Sequence, residues 1–145
     1  MTHKEIIDYC LKKPGAYVDF PFEPWCPTVR VKAPSQEKGP IFANPLTLKG
    51  ELKVSLSCTP ESAEVYRAIY PGTVVRGWHC PPVQQPHCNT VSLDGTVPDD
   101  VILRMIDHAY DVVVAKMPKY IQKELCKGEQ CSPVTSTGII VEDSN

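Results

Sequence analysis

The sequence predicts an α+β domain in which helices pack on one face of an antiparallel sheet. Apolar residues recur at helical spacing in several segments, and the segments between them alternate apolar and polar residues with period two. At 145 residues the chain has the usual length of a single domain. Its 15 prolines, against 8 glycines, favour many turns and short strands over long uninterrupted ones.

The first helix is predicted from a capping box. Thr2 and Glu5 are spaced so that each side chain can bond a backbone N–H at the helix start. The apolar positions that follow at helical spacing are Ile6, Ile7, Cys10 and Leu11. The pair Pro14-Gly15 then ends the helix. From Tyr17 to Pro27 the chain is rich in aromatic residues and proline, which predicts an extended segment with turns.

Two segments alternate clearly and are predicted strands, Thr28–Lys32 and Lys53–Cys58. A polar loop over residues 33–40 separates the first of these from a short predicted strand at Ile41–Ala43. The following stretch, Asn44–Glu51, is predicted to be a turn or hairpin. Alternation of this kind places the basic residues of both clear strands on the outer face of the sheet.

A second helix follows the clearest strand directly. Thr59 is its predicted cap, and Pro60 occupies the first helical position, where a missing N–H costs nothing. Pro71-Gly72 ends it. Two further short strands are predicted at Val74–Val75 and Thr90–Leu93.

The third helix begins near Pro98, with two aspartates in its first turn. Its apolar face comprises Val101, Ile102, Met105, Ile106, Ala109, Tyr110 and Val113. Pro118 interrupts this helix, and Lys119–Leu125 is predicted to continue briefly as helix. Residues 127–145 show no periodicity, so a single domain over 1–126 and a flexible tail are predicted.

Composition excludes several classes of protein. No run of about 18 apolar residues exists, so no membrane span is expected. The polar N-terminus lacks the apolar run of a secretory signal, and the seven cysteines are odd in number, which together favour reduced thiols and a cytoplasmic protein. The net charge of −2 lacks the strongly basic balance of a dedicated nucleic-acid binder, so only a local basic patch could serve.

A series of short strings runs in order from residue 6 to about residue 120. The strings are Tyr9-Cys10-Leu11, Lys13-Pro14-Gly15-Ala16, Asp19-Phe20-Pro21-Phe22, Ser57-Cys58-Thr59-Pro60-Glu61, Tyr70-Pro71-Gly72 with His79 a few residues later, His87-Cys88-Asn89-Thr90-Val91, Leu93-Asp94-Gly95, Ile106-Asp107-His108-Ala109-Tyr110-Asp111 and Ala115-Lys116-Met117-Pro118. Together these strings resemble the MmcQ/YjbR family. The resemblance implies a CyaY-like fold and a DNA-binding protein with no reaction and no cofactor. Ser57 stands where the family usually has lysine, and Cys88 where it usually has tryptophan.

DNA is the predicted partner, because cations placed against phosphates supply most of the affinity for nucleic acid. The predicted contact residues fall into three groups on the sheet face, a neighbouring rim and the end of the third helix. They are Arg30, Lys32 and Lys53; Arg76, Trp78, His79 and His87; and Lys116 and Lys119. The alternative for the lysines is that they are solvated, or that those after the third helix merely complement its C-terminus.

A metal-binding module is the second hypothesis. His79, Cys80, His87 and Cys88 are the ligand types that zinc and iron prefer. Neighbouring side chains in an extended segment point to opposite sides, however, so all four do not easily converge. The alternative is a proline-stiffened loop without metal.

A third hypothesis is a protein-interaction domain that uses the aromatic stretch Phe20–Trp25 for a protein partner or for self-association. Catalysis is not expected. The sequence has no glycine-rich phosphate loop, no Gly-x-Ser-x-Gly string and no carboxylate pair at a telling interval. A cysteine–histidine pair would need side chains within hydrogen-bond reach and oxyanion donors beside them.

Overall fold

The computed structural model describes residues 1–20, 27–77, 83 and 85–128. These residues contain six strands, four helices and one short 3₁₀ turn at Gln85–His87. The strands are β1 (Ala16–Asp19), β2 (Thr28–Val31), β3 (Ile41–Leu48), β4 (Glu51–Ser57), β5 (Val74–Arg76) and β6 (Cys88–Ser92). The helices are α1 (His3–Cys10), α2 (Pro60–Ile69), α3 (Asp99–Ala115) and α4 (Lys119–Gly128).

The strands form one sheet in the order β1-β2-β3-β4-β6-β5, and each neighbouring pair is antiparallel. Helices α1 and α3 pack against the centre of this sheet, and α2 packs against β5 and β6. Asn89 of β6 lies opposite Leu56 of β4 and donates to the Ala63 carbonyl oxygen in α2. Since Leu56 also belongs to the core that α3 covers, α2 and α3 lie on the same face. The predicted α+β fold is confirmed.

The predicted helix starts are confirmed by their hydrogen bonds. The Thr2 backbone N–H donates to the Glu5 carboxylate at 2.8 Å, and the Glu5 N–H donates to the Thr2 hydroxyl at 3.2 Å. At α2, the Thr59 hydroxyl accepts from the Ser62 N–H at 3.2 Å. Both arrangements use donors that a helix start otherwise leaves unpaired.

The core lies between α3 and the sheet. The buried side of α3 carries the apolar face that the sequence predicts, with Ile106 and Ala109 fully buried. Phe42 of β3 meets Tyr110 of α3 edge to face, with ring centroids 5.4 Å apart. No helix among the described residues is long and apolar enough to cross a membrane.

Of the turn or hairpin predicted over Asn44–Glu51, the structure shows the hairpin, and most of the segment is strand. Strand β3 continues to Leu48 and β4 starts at Glu51, so Lys49 and Gly50 alone form the hairpin turn, with φ of 53° and 81°. Strand β3 is longer than predicted although it contains Pro45, a residue type that is rare in strand interiors. The described pairing of β3 with β2 ends at Ala43, so Pro45 interrupts no described bond between these strands.

Helix α3 also contacts the start of α2 through a histidine. The Thr59 backbone N–H donates to Nε2 of His108 at 3.3 Å, which requires that this nitrogen carry no proton. Burial lowers the pKa of His108 from 6.5, while the nearby Asp111 carboxylate acts in the opposite direction. The neutral imidazole therefore belongs to the folded state.

A substitution at Gly39 tests how closely the loop before β3 packs against β2. A Cβ at Gly39 would lie 1.7 Å from the Val31 carbonyl oxygen, so Gly39→Ala should lower the free energy of unfolding by more than about 3 kcal/mol. Gly72 is the control, because a Cβ there meets no atom within 4 Å and its φ of +82° alone is strained. Gly72→Ala should cost about 1 kcal/mol. Urea denaturation measures both, and equal losses would contradict the close packing.

The lowered pKa of His108 predicts that the fold loses stability as the pH falls below 6.5. Its pKa is lower in the folded state than the ordinary value of 6.5, so the unfolded chain takes up the proton first. The stability contributed by the neutral imidazole is fully present above pH 6.5 and is lost as the pH falls from 6.5 through the folded pKa. His108→Gln removes this titration. Melting curves should show a steeper loss below pH 6.5 for the native chain than for the variant; parallel curves would contradict it.

Candidate nucleic-acid interface

Two of the predicted cations on the outer sheet face are paired with carboxylates. The Arg30 guanidinium lies 3.2 Å from the Asp19 carboxylate and donates to the Gly39 carbonyl oxygen at 2.8 Å. Its side chain is only 12% exposed. Lys53 donates to the Ser92 hydroxyl at 2.7 Å and lies 3.5 Å from the Glu51 carboxylate. These pairs leave little net positive charge on this part of the sheet.

Arg76 lies on the other side of the sheet from Arg30 and Lys53. It is opposite Asn89, whose side chain bonds α2, so side-chain alternation directs Arg76 to the helix-covered side. Lys32 follows β2, and its Nζ lies 5.7 Å from the centre of the Tyr17 ring. The predicted sheet cations therefore do not share one surface.

The lysines around the start of α4 differ from the sheet cations. Lys116, Lys119 and Lys123 are all exposed, and the ammonium group of none of them forms an ion pair or hydrogen bond with another residue of the described ranges. Lys119 and Lys123 are one helical turn apart, and Lys116 precedes Lys119 by three residues, within about 11 Å even for an extended chain. We call these three residues the cationic cluster.

The fold presents the cationic cluster because α4 is amphipathic. Ile121 and Leu125 are 4% and 5% exposed and pack into the core. At 3.6 residues per turn, Lys119 and Lys123 lie on the opposite side of the helix from Ile121. The helical prediction for Lys119–Leu125 is thus confirmed, and the helix extends to Gly128.

The one carboxylate of α4 is held away from the lysines. Glu124 accepts from the Ser35 backbone N–H at 2.7 Å and from the Ser35 hydroxyl at 2.6 Å. These two bonds fix α4 against the loop after β2. Glu124 is thus bonded to Ser35 and forms no ion pair with a lysine of the cationic cluster.

A shallow groove of about 470 Å³ lies beside α4, and both Lys13 and Lys32 line it. Lys13 is anchored, since its Nζ lies 2.6 Å from the Asp107 carboxylate, which also accepts from the Tyr9 hydroxyl at 2.8 Å. The same ammonium lies 5.4 Å and 5.5 Å from the ring centres of Tyr9 and Tyr110. This arrangement joins α1 to α3 and uses the charge of Lys13 internally.

The environment of the buried groups disfavours thiol chemistry at two positions. Burial raises the pKa of the Cys10 thiol to about 12 and that of Cys58 to about 11. Burial, followed by the hydrogen bond to Asp107, raises the pKa of Tyr9 to about 12. A thiol with such a pKa is almost wholly protonated at neutral pH, and the protonated form is a poor nucleophile and metal ligand.

Only some of the residues predicted for the rim and for the metal site lie within the described ranges. His87 is exposed on the 3₁₀ turn and Cys88 lies on β6, whereas Trp78, His79 and Cys80 lie outside the described residues. Within the described ranges, no three His, Cys, Asp or Glu side chains are grouped so that they could hold a metal ion. The four-ligand metal hypothesis therefore stays a prediction.

The aromatic stretch predicted for protein contacts also falls mostly outside the described residues. Phe20 is 51% exposed, and residues 21–26 are not described.

Lys123 was not among the predicted contact residues. Its interval of four from Lys119, on a segment predicted as helix, was the signal that could have found it.

Comparisons with a family model and with known sequences point to the same family. The model of the YjbR family matches residues 11–112. The chain is 31% identical over 125 residues to the uncharacterized protein YjbR of Escherichia coli (strain K12). The aligned region covers 86% of this chain and 98% of that protein. The YjbR protein of Escherichia coli O157:H7 matches with the same identity and coverage.

Solved structures share the fold. The crystal structure of Deinococcus radiodurans protein DR2400, of the domain family DUF419, superposes with a TM-score of 0.75 at 28% identity, covering 86% of this chain and 87% of that one. A crystal structure of a Pseudomonas syringae protein gives 0.63 at 19% identity, covering 78% and 99% of the two chains, a likeness of fold alone. With the family match over most of the chain and a relative matched over nearly its full length, this chain belongs to the YjbR family.

Proposed function

We propose that this protein is a non-catalytic nucleic-acid-binding module that contacts phosphates through the cationic cluster. The observation that carries the proposal is the state of Lys116, Lys119 and Lys123, which are exposed and have no carboxylate partner among the described residues. A lysine whose ammonium is already paired gains little from a phosphate. Three free lysines on adjacent turns can replace the counterions of a nucleic-acid backbone, which is the main source of such affinity.

For the DNA-binding role that the family resemblance implies, we propose contacts at the cationic cluster and not at the paired cations of the sheet. Arg30 and Lys53 would have to give up Asp19 and Glu51 before they could bind phosphate, so we assign them to the stability of the sheet. Lys32 lines the groove beside α4 and is the sheet cation best placed to add to the cluster. A net charge of −2 makes any such binding local and strongly dependent on salt.

A non-catalytic role is proposed because two of the described thiols are poorly suited to attack. Cys10 and Cys58 are buried, and their pKa values are raised to about 12 and about 11. His108, which lies beside the start of α2, already accepts a backbone N–H from Thr59. It therefore serves packing between two helices.

Charge removal at the cluster tests the proposal. Replacing Lys116, Lys119 and Lys123 by glutamine should weaken binding to single-stranded and duplex DNA at least about tenfold at about 50 mM salt. The slope of log affinity against log salt for single strands should fall by about 2, because about 0.7 counterions are released per phosphate contact. Fluorescence anisotropy with labelled oligonucleotides of mixed sequence measures both quantities.

A matched variant separates position from net charge. Lys4, Lys49 and Arg104 are also exposed, and Lys4→Gln, Lys49→Gln and Arg104→Gln together remove the same total charge. This control should keep at least half of the native affinity if the cluster is the contact surface. Equal losses in the two triple variants, or no binding by the native chain at about 50 mM salt, would end the proposal.

A further inference from the structure

Tyr120 presents an aromatic ring beside the cationic cluster. Its side chain is 70% exposed, and it makes no hydrogen bond or ring contact with another described residue. It directly follows Lys119 and precedes Lys123 by three residues, so ring and ammonium groups lie on adjoining parts of α4. Packing in the described fold does not require this ring.

Of the side chains that read base edges in duplex grooves, the exposed side of α4 carries lysine, which binds the phosphates of any sequence equally well. Arg and Asn, which bond base edges in duplex grooves, are absent from Lys119–Gly128. The one amide of this helix, Gln122, donates to the Met117 carbonyl oxygen at 2.8 Å. Binding through this helix therefore rests on charge and on the ring, both of which tolerate any base sequence.

A lipid surface fits α4 less well. Helices that lie on membranes insert an apolar face between lipids. The apolar face of α4 is already used, since Ile121 and Leu125 are buried in the protein core together with Met117. Among the α4 side chains that the structure describes, the ring of Tyr120 is the one large apolar group left exposed, which is a small area for insertion.

We infer that α4 selects single-stranded over duplex nucleic acid, with the Tyr120 ring stacked on an unpaired base and Lys119 and Lys123 on the neighbouring phosphates. The inference rests on the proposed function and names the substrate class of the same site. Every base has a π-face, so stacking needs no sequence preference. In a duplex the faces of the bases are covered by their neighbours, and the ring then has no partner except at the ends.

Three labelled ligands test the inference by anisotropy at about 50 mM salt: oligothymidine, a single strand of the same length without bases, and a duplex. The native chain should bind oligothymidine roughly tenfold more tightly than either of the others. Tyr120→Ala should remove that advantage, a loss of roughly tenfold on oligothymidine with little change on the other two ligands. Tyr120→Phe keeps the ring and should retain the native affinity.

The outcomes separate the two proposals. If the native chain binds all three ligands equally and the glutamine variant of the cationic cluster loses them all, the proposed function stands and the stacking inference fails. The inference also fails if Tyr120→Ala weakens binding to the strand without bases as much as to oligothymidine. Binding to none of the nucleic acids, or tighter binding to vesicles containing anionic phospholipid, overturns the proposed function itself.

Discussion

The packing of α3 across β3 and β4 is the contact on which the other elements depend. Ile102, Ile106 and Ala109 are at most 2% exposed, and each buried isoleucine side chain contributes about 1.5–3 kcal/mol. Since the net stability of a domain is only about 5–15 kcal/mol, a few such side chains decide whether the sheet and helices stay together. The remaining helices attach to this layer: α1 through the Lys13–Asp107 ion pair, and α2 through the bond from Thr59 to His108.

The position of α4 follows from the same layer. After α3 ends at Ala115, the chain turns through Pro118, and Ile121 and Leu125 extend the core. Leu125 reaches Gly15, where a Cβ would lie 2.5 Å from its side chain, so the bend after α1 and the last described helix are packed together. The bonds from Ser35 to Glu124 add a polar contact at the other side of the helix. With its apolar side and its carboxylate both engaged, α4 directs Lys119, Tyr120 and Lys123 to solvent.

Local signals predicted most of the fold. The capping box of α1, the Thr59 cap of α2 and the Pro-Gly pairs that follow both helices act within a few residues, so α1 and α2 could be recognised without tertiary contacts. The full lengths of β3 and β4 could not, because Pro45 disfavours a strand and Lys49, a non-glycine residue, adopts a φ of 53° that its type rarely takes. Pairing with β4 overrides both local preferences. At the candidate site, Lys116 and Lys119 were predicted and Lys123 could have been found from its interval of four, whereas Tyr120 became apparent only once the buried side of α4 was known.

The sequence by itself determined the α+β class, the family strings, the number of cations and the helices that its periodicity marks. It left open which cations are free, since that depends on distances between residues far apart in the chain. Arg30 is neutralised because antiparallel pairing of β1 with β2 brings Asp19 near it, and Lys13 because α3 brings Asp107 to 2.6 Å. Lys116, Lys119 and Lys123 stay unpaired within the described structure because Glu124 is bonded to Ser35. Tertiary structure decided this, because a charge pair forms only where the packed backbone places both groups within a few ångströms.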